Sequence, residues 1–69
     1  MNPVEIAELL DIRTTRLEIF NEWCFWIKRI EDVKAFHELC EPQHRRWLET
    51  EQHYGLEWTV KWVDKQQTG

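Results

Sequence analysis

The sequence predicts an all-α fold: an antiparallel helical hairpin with a long first helix, associating with a second copy as a helical homodimer. Three observations carry that prediction. Apolar residues between positions 6 and 30 recur at spacings of three and four, the period of a helix. Neither glycine nor proline occurs between Pro3 and Pro42. The one strand-like stretch, at 56 to 63, finds no second strand elsewhere in the chain to pair with.

The first helix opens at Asn2, Pro3 and Glu5, with an Asn at the N-cap, a Pro at N1 where no amide proton is missed, and a Glu at N3 that can reach back. Ile6, Leu9, Leu10, Ile12, Leu17, Ile19, Phe20, Trp23, Cys24, Trp26, Ile27 and Ile30 then supply its apolar face. On a helical wheel they cover roughly half the circumference, wider than the roughly 100° stripe that one core requires. Such a helix asks for two partner surfaces, its own second helix and another chain. Val33, Phe36, Leu39 and Cys40 continue the spacing, but the face drifts around the axis, which allows a bend near 28–32 in a helix spanning about 3–39.

Pro42 forces a stop at or before Glu41, giving a turn at 40–42, and itself suits the first position of a second helix over about 42–65. Trp47, Leu48, Tyr54, Trp58 and Trp62 fall on one face of that helix, with Gly55 permitting close approach. The rival reading is a strand, because residues 56 to 63 alternate apolar and polar after a glycine. Helix is preferred for want of a pairing strand. No linker, repeat or low-complexity segment divides residues 1–69, which read as a single small helical domain.

Composition limits function. With 13 acidic against 9 basic side chains the net charge is −4, which opposes binding to phosphate backbones and anionic lipid. The longest apolar run, Trp23 to Ile27, is too short to cross a membrane, and the chain opens without a signal-like segment, so a cytoplasmic protein is expected. There is no serine, no Gly-rich phosphate loop and no convincing Cys–His pair, so neither an enzyme nor a cofactor is expected. His37, Cys40 and His44, with His53 more distant, form one weak cluster where a zinc site wants two, and a metal is not expected either. Cys24 and Cys40 are expected as free thiols.

Five tryptophans, three phenylalanines and a tyrosine exceed what so short a chain needs for one core, and such residues dominate binding hot spots. On the expected helix Arg16 lies in the middle of the stripe of Leu9, Ile12, Ile19, Phe20, Trp23 and Ile27, where a guanidinium requires a partner such as Glu5, Glu8 or a glutamate of the second helix. Its functional reading is an interface anchor ringed by aromatics. Phe25 points to the polar side among Glu18, Glu22 and Arg29 and is expected to be exposed. Partner contact is accordingly expected from Arg16, Glu18, Phe20, Glu22, Trp23 and Phe25. Core or dimer packing is expected from Ile12, Ile19, Trp26, Ile27, Ile30, Trp47, Trp58 and Trp62.

Residues 6 to 20 also match the small and apolar positions of a helix-turn-helix, with Thr14 and Thr15 starting the recognition helix and Asp11 at the turn, where the family prefers Gly. A DNA-binding regulator is therefore an alternative, although Glu18 and Glu22 would face phosphates. A structural or assembly subunit is a third possibility.

The length, the run LeuAspIleArgThrThrArgLeu at 10 to 17 with Arg16 on an apolar face, and the Trp-rich helices resemble the small early proteins by which phages inhibit host factors, notably the anti-activators with which Mu-like phages block quorum-sensing regulators. The resemblance implies a compact helical dimer that binds a LuxR-type transcription activator of the host and keeps it off DNA. Glu18, Glu22, Glu31 and Asp32 would then steer the chain to a basic surface that Arg16 and nearby aromatics anchor.

Overall fold

The computed structural model describes residues 1–53 and 57–63. Their order is α1 (Pro3–Leu9), β1 (Arg13–Leu17), a 3-10 turn (Glu18–Phe20), β2 (Glu22–Ile27), α2 (Ile30–Leu39), α3 (Pro42–Arg45), β3 (Leu48–His53) and β4 (Glu57–Val63). The four strands form one antiparallel sheet in the order β1-β2-β4-β3. The fold is mixed α/β, and the all-α hairpin with its helical homodimer is overturned.

The helix start is where the sequence places it. Asn2 Oδ1 accepts from the Glu5 amide at 2.9 Å and Glu5 Oε1 accepts from the Asn2 amide at 3.2 Å, closing a capping box ahead of Pro3. The helix stops after two turns. Leu10 is the C-cap, Asp11 turns left-handed at φ 55°, and the amides of Ile12 and Asp11 donate to the carbonyls of Ala7 and Glu8. These are the paired bonds of a Schellman motif, and Ile12 packs against the core cluster to which Ile6 and Ala7 of the helix belong. The turn suspected at Asp11 therefore exists, but it leads into β1 rather than a recognition helix, and Thr14 and Thr15 are strand residues. The helix-turn-helix reading fails on that point.

Register sorts the sheet into two faces. On one lie Thr14, Phe25, Val60 and Thr50 in a row, flanked by the row Arg16, Trp23, Trp62 and Leu48 and by Ile27, Trp58 and Gln52. Helices α1 and α2 cover this face, and Ile6, Ala7, Val33, Phe36 and Cys40 join Phe25, Ile27, Val60 and Trp62 in the core. Phe25 and Phe36 meet at its centre with ring centroids 4.9 Å apart. The other face, with Arg13, Thr15, Cys24, Trp26, Thr59, Lys61, Glu49 and Glu51, has no described helix over it.

Further expectations fall with the long helices. The helix expected over 3–39 is interrupted from Arg13 to Ile27 by two strands; at the suggested bend, Lys28 and Arg29 instead lead into α2. The second helix, expected over 42–65, survives as the four residues Pro42–Arg45, and the strand reading of 56 to 63 is the one adopted over Glu57–Val63. Residues 54 to 56 and 64 to 65 of that expected helix, Tyr54 and Gly55 among them, lie outside the described residues. The missing pairing partner for β4 was hidden in the segment read as helix: β2 pairs with it along one side and β3 along the other.

Candidate protein-binding surface at the first hairpin

Strands β1 and β2 are joined by Glu18, Ile19, Phe20 and Asn21, since Leu17 and Glu22 are the last residues in register. Asn21 closes the loop in the left-handed region at φ 49°, which Asn tolerates better than most residues, and its amide donates to the Glu18 carbonyl at 3.1 Å. Its side chain ties the loop to the strand, because Arg16 Nη2 donates to Asn21 Oδ1 at 2.7 Å. The Arg16 guanidinium carbon lies 4.4 Å from the centroid of the Trp23 ring, directly across the ladder. Arginine thus finds an amide oxygen and an aromatic face, where the helical reading offered it the carboxylate of Glu5, of Glu8 or of a glutamate on the second helix.

This bracing holds out an apolar tip. Ile19 is 92% exposed and Phe20 65%, with Leu17 beside them at 45%. None of the three belongs to the core or packs against it. Three exposed large apolar side chains within residues 17–20 mark an interaction site more readily than scattered surface residues do. On the open sheet face the tip continues into a shallow hollow lined by Glu22, Trp47, Glu49, Lys61 and Val63, with Trp47 itself 42% exposed.

Of the residues expected to meet a partner, the hairpin brings Arg16, Glu18, Phe20, Glu22 and Trp23 together within one loop and its two flanks. Phe25 is the exception: at 0% exposure it sits at the centre of the core and is unavailable to any partner. The residues expected to pack scatter. Ile27 and Trp62 are buried, Ile12 and Trp58 are partly buried against the core, and Trp26 is half-buried on the open face, where its Nε1 donates to Thr15 Oγ1 at 3.1 Å. Ile19, Trp47 and Ile30 are exposed instead. Leu17 was missed as a surface residue, although a leucine beside a polar turn residue such as Asn21 was the available signal.

The imidazoles are separated by their own partners. His37 Nε2 lies 2.8 Å from Thr50 Oγ1, His53 Nε2 lies 2.8 Å from Thr59 Oγ1, and His44 stands edge-on to Trp62 with centroids 5.3 Å apart. Among the described residues no three His, Cys, Asp or Glu side chains are gathered as metal ligands. Cys24 and Cys40 are buried free thiols on opposite faces of the sheet, and burial pushes both above their ordinary pKa. Among the described residues no helix is long and apolar enough to cross a membrane. Comparison with protein-family models, curated proteins and solved structures yields no match.

Proposed function

We propose that this chain is a non-enzymatic protein-binding module whose anchor is the tip of the first hairpin. The observation that carries the reading is the pair Ile19 and Phe20, exposed on a loop that Asn21, Arg16 and Trp23 hold in one shape. A preorganised apolar knob loses little conformational entropy on docking, which is how a small surface reaches useful affinity. Glu18 on the tip, Glu22 behind it and the overall charge of −4 favour a target with a basic surface surrounding an apolar pocket.

A DNA-binding protein presents such a surface, and a transcription activator of the LuxR type is the specific target this reading takes from the resemblance to phage anti-activators. Part of that resemblance rested on Trp-rich helices, and the tryptophans of β2 and β4 stand in strands. What remains in its favour is the acidic charge and the Arg16 region. Activity in the cytoplasm of a host cell belongs to the same proposal.

The test is a titration against purified DNA-binding domains of LuxR-type activators, followed by tryptophan fluorescence or calorimetry. Binding that weakens by about 30-fold or more for Phe20→Ser, equal to about 2 kcal/mol, supports the proposal. Absence of binding would remove the activator as target. Undiminished binding by Ile19→Ser and Phe20→Ser would remove the hairpin as anchor.

A further inference from the structure

The two outer strands of the sheet carry opposite charge. β1, on one edge, reads ArgThrThrArgLeu with Arg13 and Arg16, while β3, on the other, reads LeuGluThrGluGlnHis with Glu49 and Glu51. Each outer strand presents a row of backbone donors and acceptors that the sheet itself does not use, so an edge is a template for a further strand. We infer that the basic β1 edge of one copy pairs head-to-tail with the acidic β3 edge of another, extending the sheet from chain to chain.

Three features of the ladder support this seam. First, directions match: the sheet is antiparallel throughout with an even number of strands, so β1 and β3 run oppositely and a copy displaced sideways within the sheet meets its neighbour antiparallel. Second, levels match. Arg13, Trp26, Thr59 and Glu51 form a single row across the sheet, so the displaced copy sets its Arg13 opposite Glu51, on the same open face, without any shift along the strand. Thr14 then meets Thr50, and Thr15 meets Glu49. Third, hydrogen-bonded and non-hydrogen-bonded pairs alternate along each row of an antiparallel sheet, and four strands per copy bring that alternation back into phase at the seam.

Charge also selects against the symmetric alternatives. Two β3 edges would gather four glutamates in one seam, and two β1 edges four arginines, whereas opposed charges across strands are favourable and like charges unfavourable. The contact is heterologous, so each copy offers one edge of each kind and the association is open-ended or ring-closing rather than a closed two-fold dimer. This differs from the helical homodimer in surface and in symmetry, and it leaves the apolar hairpin tip free for a partner.

The experiment is sedimentation velocity over micromolar to millimolar protein at low and high salt, on the wild type, on Arg13→Glu and on Glu51→Arg, with circular dichroism to check each fold. The wild type is expected to gain mass with concentration and to lose that gain in high salt. Each variant alone sets like charges at positions 13 and 51, opposite each other at the seam, and is expected to remain monomeric, while an equimolar mixture restores opposite charges there and regains the association. A wild type that stays monomeric at millimolar concentration and low salt overturns the inference. So does association that persists in both single variants, or a folded mixture that fails to recover it. Should Arg13→Glu fail to fold, the exposed pair Glu49→Lys and Glu51→Lys on β3 makes the same test through loss of association.

Discussion

Arg16 lies over Trp23, its guanidinium carbon 4.4 Å from the indole centroid, and from that position reaches Asn21 at 2.7 Å. One arginine thereby connects both strands of the first hairpin to its loop. A partly buried cation–π contact and a charge-assisted hydrogen bond together contribute about 2 kcal/mol. Arg16→Ala should lower unfolding free energy by about that amount, and Arg16→Lys should recover only part of it, because an ammonium cannot stack as a planar guanidinium does. Denaturant titration of the three proteins measures the difference. A stability unchanged by Arg16→Ala would mean that the contact does not brace the loop.

Exposure separates two phenylalanines five residues apart. Phe20 projects into solvent and Phe25 is sealed against Phe36, so Phe20→Ser should change stability by no more than about 0.5 kcal/mol, whereas Phe25→Ala should lose about 3–5 kcal/mol. The second loss is a large part of the total stability of a domain this size. Thermal melts followed by circular dichroism would show one transition hardly moved and the other lowered by tens of degrees or abolished. A mild Phe25→Ala would place the core elsewhere.

The same two residues show what the sequence discloses and what it conceals. Helix caps are local, set by one or two side chains, and Asn2, Pro3 and Glu5 could be read directly, as could Pro42 at the head of α3. Of the two central strands, β4 showed its alternation as the rival reading of 56 to 63, and β2 showed none. β2 and β4 have neighbours on both sides, so Cys24 and Thr59 are buried even on the open face, and the alternation that marks a half-exposed strand disappears from the run Trp23 to Ile27. A continuous apolar run satisfies helical spacing as well as strand spacing, and without Gly the turns lacked their usual marker: the chain makes them with Asp11, suspected only as part of a helix-turn-helix, and with Asn21, both in the left-handed region. Arg16, Phe20 and Trp23 stood out in the sequence as candidate binding chemistry. Their meeting on a hairpin depends on pairing between strands, which no local pattern encodes.

Asp11 offers a test of the turn that ends α1. A non-glycine residue at φ 55° is strained by roughly 1–2 kcal/mol, partly relieved for Asp by its short polar side chain. Asp11→Gly should therefore raise stability by about 0.5–1 kcal/mol, and Asp11→Val should lower it by more than 1 kcal/mol, since a branched side chain tolerates this region least. Equal stability of the two variants would deny the left-handed turn.

The pH dependence of stability should show a plateau bounded by two kinds of group. Burial, with the Arg45 guanidinium adding to it, lowers the pKa of His37 from its ordinary 6.5, so below that value the unfolded chain takes up a proton more readily than the folded one and stability falls. Cys24 and Cys40 are shifted the other way. Burial raises both from 9.0, with Lys61 opposing it at Cys24 and Arg45 at Cys40, so above pH 9 the unfolded chain releases thiol protons first and stability falls again. Stability measured from pH 5 to 10.5 should thus be highest between about 6.5 and 9, within the window these linked titrations define. His37→Gln, which keeps a hydrogen-bonding group near Thr50, should flatten the acid limb relative to the wild type, and Cys24→Ala with Cys40→Ala the alkaline one. The folded protein should also react slowly with iodoacetamide at pH 8 at both thiols and rapidly once denatured, because a thiol held above its ordinary pKa supplies little thiolate. Fast labelling of Cys40 in the native state would contradict its burial in the core.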